Sequence, residues 1–95
     1  MAGQQYIGTG RLGASQDVAY TATAGTSTAI GTQTYKVRVI VTTAARIKIA
    51  SSAAAVATDT YMAAGAAENF SCTPGQTVSA IRVASDGTMN VTELE

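Results

Sequence analysis

Gly8-Thr9-Gly10-Arg11-Leu12-Gly13 reads as G-x-G-x-x-G, the spacing with which a glycine-rich turn can cradle a dinucleotide pyrophosphate. That chemistry requires a buried strand before the glycines, a helix opening after them, and an acid about 20 residues further on. Here only Tyr6 and Ile7 precede the glycines, a β-type segment follows, and no acid lies between Asp17 and Asp59. The stretch therefore reads as a flexible arm that can order on a neighbouring subunit. Other reactive groups are few. The chain has no His to serve as a general base, and Asp17, Asp59, Glu68, Asp86, Glu93 and Glu95 follow no recurring spacing. Cys72 is the only thiol, in strand phase with Phe70, so a buried and inert thiol is expected rather than a nucleophile. With no His, one Cys and no D-x-D-x-D run, the residues point to no metal site, no cofactor and no enzymatic activity.

The elements that would carry any site are strands. The 95 residues include 15 Thr, 8 Val and 6 Ile against 2 Leu, and β-branched side chains suit a pleated surface better than a helix. The 19 Ala are scattered among Thr, Ser and Gly, and only 51–57 could make a helical turn. Residues 1–16 hold four glycines and, as sizeable apolar groups, only Tyr6, Ile7 and Leu12, too little to order alone. The expected organisation is an extended N-terminal arm over 1–16 and a single domain over 17–95.

Within that domain Val18, Tyr20 and Ala22 share a face, and a weaker run ends at Ile30. Tyr35, Val37, Val39 and Val41 alternate with Lys36, Arg38, Ile40 and Thr42, and Arg46-Ile47-Lys48-Ile49 alternates in the same manner. A three-residue loop 43–45 would pair these two runs as a hairpin, with Val41 opposite Ile47 and Val39 opposite Ile49. Thr60–Met62 and Glu68–Cys72 read as short strands. Thr73-Pro74-Gly75-Gln76 has Pro and Gly where a type II turn wants them. In Thr77–Ala84, Ile81 and Val83 share a face and Val78 is out of phase, which suggests a bulge or a strand that changes partner. Asp86-Gly87 reads as a tight hairpin turn into a last strand with Met89 and Val91 inward. The fold class is all-β: a small antiparallel β-sandwich or jelly-roll-like barrel of about seven or eight short strands.

Charge narrows the partners. Six basic and six acidic residues give zero net charge, which argues against a general nucleic-acid binder. No apolar run approaches the ~18 residues of a membrane span, and the first residues lack a secretory signal, so a protein made in a cytoplasm and outside the membrane is expected. Only 13% of residues are charged, about half the usual ~25%, which suggests surface buried against other subunits. On the expected hairpin Lys36, Arg38, Arg46 and Lys48 share a face. They read as a solvated face that protects an edge or as a patch for an acidic partner, such as Glu93 and Glu95 of a neighbouring copy or carboxylates on another protein, with nucleic acid a weaker third reading because no aromatic residue interleaves with them.

Residues 36–95 carry in order basic, β-branched strands (VRVIVTTAARIKI), an Ala/Thr loop, a Tyr61-Met62-Ala63-Ala64-Gly65 step, Glu68 with Phe70, the Pro74-Gly75 turn and the terminal Val91-Thr92-Glu93-Leu94. This series resembles small structural proteins encoded in the virion-gene regions of tailed bacteriophages, in which the step is usually Leu-Pro-Ala-Gly. It covers about two-thirds of the chain. The resemblance implies a head decoration (cement) or minor capsid protein: a β-sandwich on the capsid exterior, often a homotrimer, bound to the major capsid protein. In that setting Tyr6, Ile7, Arg11 and Leu12 are the candidate arm contacts. The alternatives are a host- or carbohydrate-binding β-module of a phage fibre, whose ring candidates are the tyrosines, with Tyr20 and Tyr35 expected in the core, or a head–tail connector subunit.

Overall fold

In the computed structural model, residues 12–52 and 54–94 are described, and they form eight strands and no helix. In chain order these are β1 (Leu12–Tyr20), β2 (Gly25–Thr26), β3 (Lys36–Val41), β4 (Ala45–Ala50), β5 (Thr60–Met62), β6 (Glu68–Ser71), β7 (Thr77–Arg82) and β8 (Gly87–Leu94). They assemble into two four-stranded sheets, β1-β8-β3-β6 and β2-β7-β4-β5, with every pairing antiparallel. The architecture is a β-sandwich.

The alternating residues behave as period two requires. Val37, Val39 and Val41 are buried while Lys36, Arg38 and Ile40 are half-buried on the outer face. Ala45 and Ile47 are buried opposite them, and Tyr20, Ile30, Met62, Val78, Ala80, Met89 and Val91 complete the core between the sheets. The Pro74-Gly75 turn forms as expected: Gly75 has φ +88°, and the Gln76 amide donates to the Thr73 carbonyl at 3.1 Å.

The pairing of consecutive strands differs from the expectation. β3 and β4 do not form a hairpin; β3 pairs with β8 and β6, and β4 pairs with β7 and β5. Residues 42–44 instead arch from one sheet to the other. An arch keeps Val37–Val41 and Ala45–Ile47 facing one core just as a hairpin face would, so alternation alone cannot distinguish them. β4 to β5 is the one connection that stays within a sheet. Asp86-Gly87 likewise makes no hairpin turn, because β7 and β8 belong to different sheets and Gly87 is the first residue of β8.

Four further expectations are corrected. β1 begins at Leu12, inside the stretch assigned to the arm, and pairs with β8 from Leu12↔Leu94 to Tyr20↔Gly87, with a register shift between Leu12 and Ser15. In β7 the buried phase belongs to Val78 and Ala80, and its register with β4 runs unbroken, so there is no bulge; Val83 is exposed. Tyr35 lies just before β3 and is 67% exposed, outside the core. Ala22, beyond the end of β1, is exposed too.

Polar side chains fasten the arches. The Tyr20 hydroxyl, with its ring buried, donates to the Thr43 carbonyl at 2.6 Å and accepts from the Thr43 amide at 3.2 Å, while Thr43 Oγ1 donates to the Ser85 carbonyl at 2.9 Å. Thr42 and Thr88 exchange two further bonds: the Thr42 amide donates to the Thr88 carbonyl and the Thr88 amide to Thr42 Oγ1. The β1 end, the β3–β4 arch and the β7–β8 arch thus meet at one knot. Gly87 sits inside it, where a Cβ would run into Thr43 Oγ1 and stand 2.6 Å from the Tyr20 hydroxyl and 2.8 Å from Thr42 Oγ1. On the other sheet Ser79 is fully buried on the outer face, because the loop after β4 crosses it: the Ala55 amide donates to Ser79 Oγ, which donates to the Gly25 carbonyl.

Candidate functional site

Because β3 and β4 lie in different sheets, the four basic side chains form no single patch. Lys36 and Arg38 project from the outer face of the β1-β8-β3-β6 sheet, and Arg46 and Lys48 from the outer face of the other. Arg38 sits in register between Thr92 of β8 and Asn69 of β6. Arg46 reaches the Asp59 carbonyl at 3.4 Å and stands over the Tyr61 ring, 5.1 Å from its centroid. This places a cation on an aromatic face. Tyr61 is 52% exposed, so the pair is a surface feature.

Glu93, expected as a partner-facing carboxylate, is in the inward phase of β8, in register with Val37. Its carboxylate accepts from Thr34 Oγ1 at 2.6 Å and from the Gly31 amide at 3.2 Å, closing one end of the sandwich. It acts within the chain. Cys72 is half-buried beside it, with Sγ 3.8 Å from the Thr34 carbonyl. Burial, and secondarily the Glu93 charge, push the Cys72 thiol above its ordinary value, which favours the unreactive protonated form. Tyr6, Ile7, Arg11 and Glu95 lie outside the described residues. Leu12 opens the edge strand β1 and is 75% exposed.

A concave feature of the described surface is the seam between the short strands β5 and β6, one at the end of each sheet. Ile47, Ile49 and Phe70 floor a depression of about 320 Å³ there, rimmed by Lys48, Asp59 and Thr60. Ile49 and Phe70 pack on the core yet remain half-exposed, so the apolar interior reaches solvent at this seam. Glu68 shares the inward phase of β6 with Phe70, since Glu68 pairs with Val39 and Phe70 with Val37. It is exposed, which places a carboxylate on the same seam. The sequence carried a signal for this feature. A charge in the apolar phase of a strand marks an edge, because only there can the charge reach water.

Among the described residues no group of three or more His, Cys, Asp or Glu is placed to hold a metal ion, and no helix is long and apolar enough to cross a membrane. Comparison of the chain with protein-family models, with curated proteins and with solved structures found no match. The fold and surface define an all-β sandwich with an aromatic–cation pair on one face and an apolar seam at one side.

Proposed function

We propose that this chain is a non-enzymatic virion structural protein that binds the capsid exterior and stabilises the joints between capsomers, as a head decoration (cement) or minor capsid protein. The observation that carries the reading is the surface: on a 95-residue chain with 13% charged residues, Leu12, Tyr35, Val56, Tyr61 and Val83 are all exposed large apolar groups. Groups of that kind fit contact with other subunits. The strand and turn series over 36–95 supplies the phage assignment, and the two-sheet sandwich is compatible with it. The working form is a homotrimer seated on the major capsid protein, with residues 1–11 and the exposed Leu12 adding contact beyond the compact domain.

Quantitative mass spectrometry of purified particles tests this. Hundreds of copies per virion are expected, and a trimer in solution of about 29 kDa, three times 9.6 kDa. Six or twelve copies would replace the reading with a connector or fibre subunit. A fibre role as a carbohydrate-binding module is favoured by one observation, the exposure of both Tyr35 and Tyr61, since exposed rings can stack on sugars. Saturable glycan binding lost on Tyr61→Ala and Tyr35→Ala would support that second role.

A further inference from the structure

The seam between β5 and β6 has an apolar floor, a carboxylate-bearing rim and no side chain of the described residues filling it. We propose that it is the acceptor for residues 4–11 of a second copy of this chain, with Ile7 and Tyr6 against Phe70, Ile47 and Ile49, and Arg11 facing Glu68 and Asp59. The inference rests on the self-association part of the reading above and names the site where that association occurs.

Three observations carry it. The first is shape and polarity: about 320 Å³ of open volume over Ile47, Ile49 and Phe70 suits one or two large side chains. Burying an exposed Ile is among the stronger small contributions a contact can make. In residues 4–11, Tyr6 and Ile7 are adjacent and are the large apolar groups among Gly, Gln and Thr. The second is charge. Arg11 is the single charged side chain of residues 1–16, whereas Asp59 shares the rim with Lys48 and Glu68 stands two residues along β6 from Phe70, so carboxylates outnumber cations around the cleft by two to one. A cation brought to two carboxylates fixes which way the segment lies.

The third is reach, which decides between a chain's own cleft and a neighbour's. Leu12, Leu94, Lys36 and Ser71 stand in one row across the sheet, from β1 at one edge to β6 at the other. Three inter-strand spacings of about 4.8 Å make that crossing ~14 Å, and descending into the seam adds about 5 Å, half the distance between packed sheets. Five residues separate Ile7 from Leu12, or ~17 Å fully extended. The path of ~19 Å also has to clear the outer side chain of Lys36, which stands in the same row, so Ile7, and Tyr6 with only ~3 Å more chain, fall short of their own cleft. A neighbouring copy is under no such constraint.

The test places a photo-crosslinking benzoylphenylalanine at position 7 of the full chain, in an equal mixture of 14N- and 15N-labelled protein, with the oligomeric state measured alongside. Mixed-label dimers joined from position 7 to peptides containing Ile47–Ile49, Asp59–Thr60 or Phe70 are expected. In unlabelled protein, Ile7→Ser should weaken association by about 10- to 100-fold, the effect of losing one buried aliphatic side chain. Arg11→Glu and Glu68→Arg should each weaken it, and the double swap should restore it; Glu68 is exposed, so its substitution keeps the fold testable. Crosslinks within one chain, or to other peptides while the oligomer persists, would overturn the seam as acceptor and leave the assembly reading standing. A chain that is monomeric at all concentrations would overturn both.

Discussion

Tyr20→Phe removes one oxygen from the knot that joins the β1 end, the β3–β4 arch and the β7–β8 arch, and leaves the buried ring in place. The phenol donates to the Thr43 carbonyl at 2.6 Å and accepts from the Thr43 amide at 3.2 Å. Each such bond is worth about 0.5–1.5 kcal/mol net, and the half-buried Thr43 groups cannot both be fully re-solvated, so a loss of about 2 kcal/mol is expected. For a domain of this size that corresponds to a fall in Tm of ~8–16 °C. Urea denaturation followed by circular dichroism, at one fixed protein concentration, should show a lower midpoint with unchanged slope. Hydrogen exchange should show the Thr43 amide opening faster than amides in the β3–β8 ladder. A loss below about 0.5 kcal/mol, or a Thr43 amide protected as before, would refute the claim that this hydroxyl holds the arch.

Gly87→Ala should cost about 1–3 kcal/mol in the same assay, because its Cβ meets the Thr43, Tyr20 and Thr42 hydroxyl oxygens, and the cost should shrink in part in a Tyr20→Phe background, where one of those three oxygens is gone. Gly75→Ala meets nothing within 4 Å, so its smaller cost of about 1 kcal/mol should come from φ +88° alone. Alkylation of Cys72 in the folded protein should show its inflection above that of a free thiol, and Glu93→Gln should move it back down, since the Glu93 charge is the second cause of the shift. The sign for stability follows. A folded thiol with a raised pKa adds stability that is fully present below the unfolded value of ~8.5 and is lost as pH rises through the folded value. Glu93→Gln should flatten that alkaline decline in a urea titration.

Much was legible from residue types and spacing because it depends on neighbours in sequence. The all-β class came from β-branched residues in period two, the buried faces of β3 and β8 from simple alternation, and the Pro74-Gly75 turn from a Gly able to take positive φ. Partner choice was not legible. Consecutive strands lie side by side in most sheets, and here every connection but β4–β5 crosses between the sheets, so parity placed Val41 opposite Ile47 in a hairpin that is in fact an arch. The same error gathered Lys36, Arg38, Arg46 and Lys48 on one face.

What the sequence determined by itself is the chemistry available: no His, one thiol, few charges and a strand-forming chain. Only the tertiary structure decided where that chemistry goes. It turned Glu93 inward onto Thr34 and Gly31, left Tyr35 outside the core, and brought Phe70 from one sheet beside Ile47 and Ile49 of the other to make the seam. Alternation specifies which face of a strand is buried, because it is a property of one strand; which strands share that burial depends on packing energies between residues far apart in the chain.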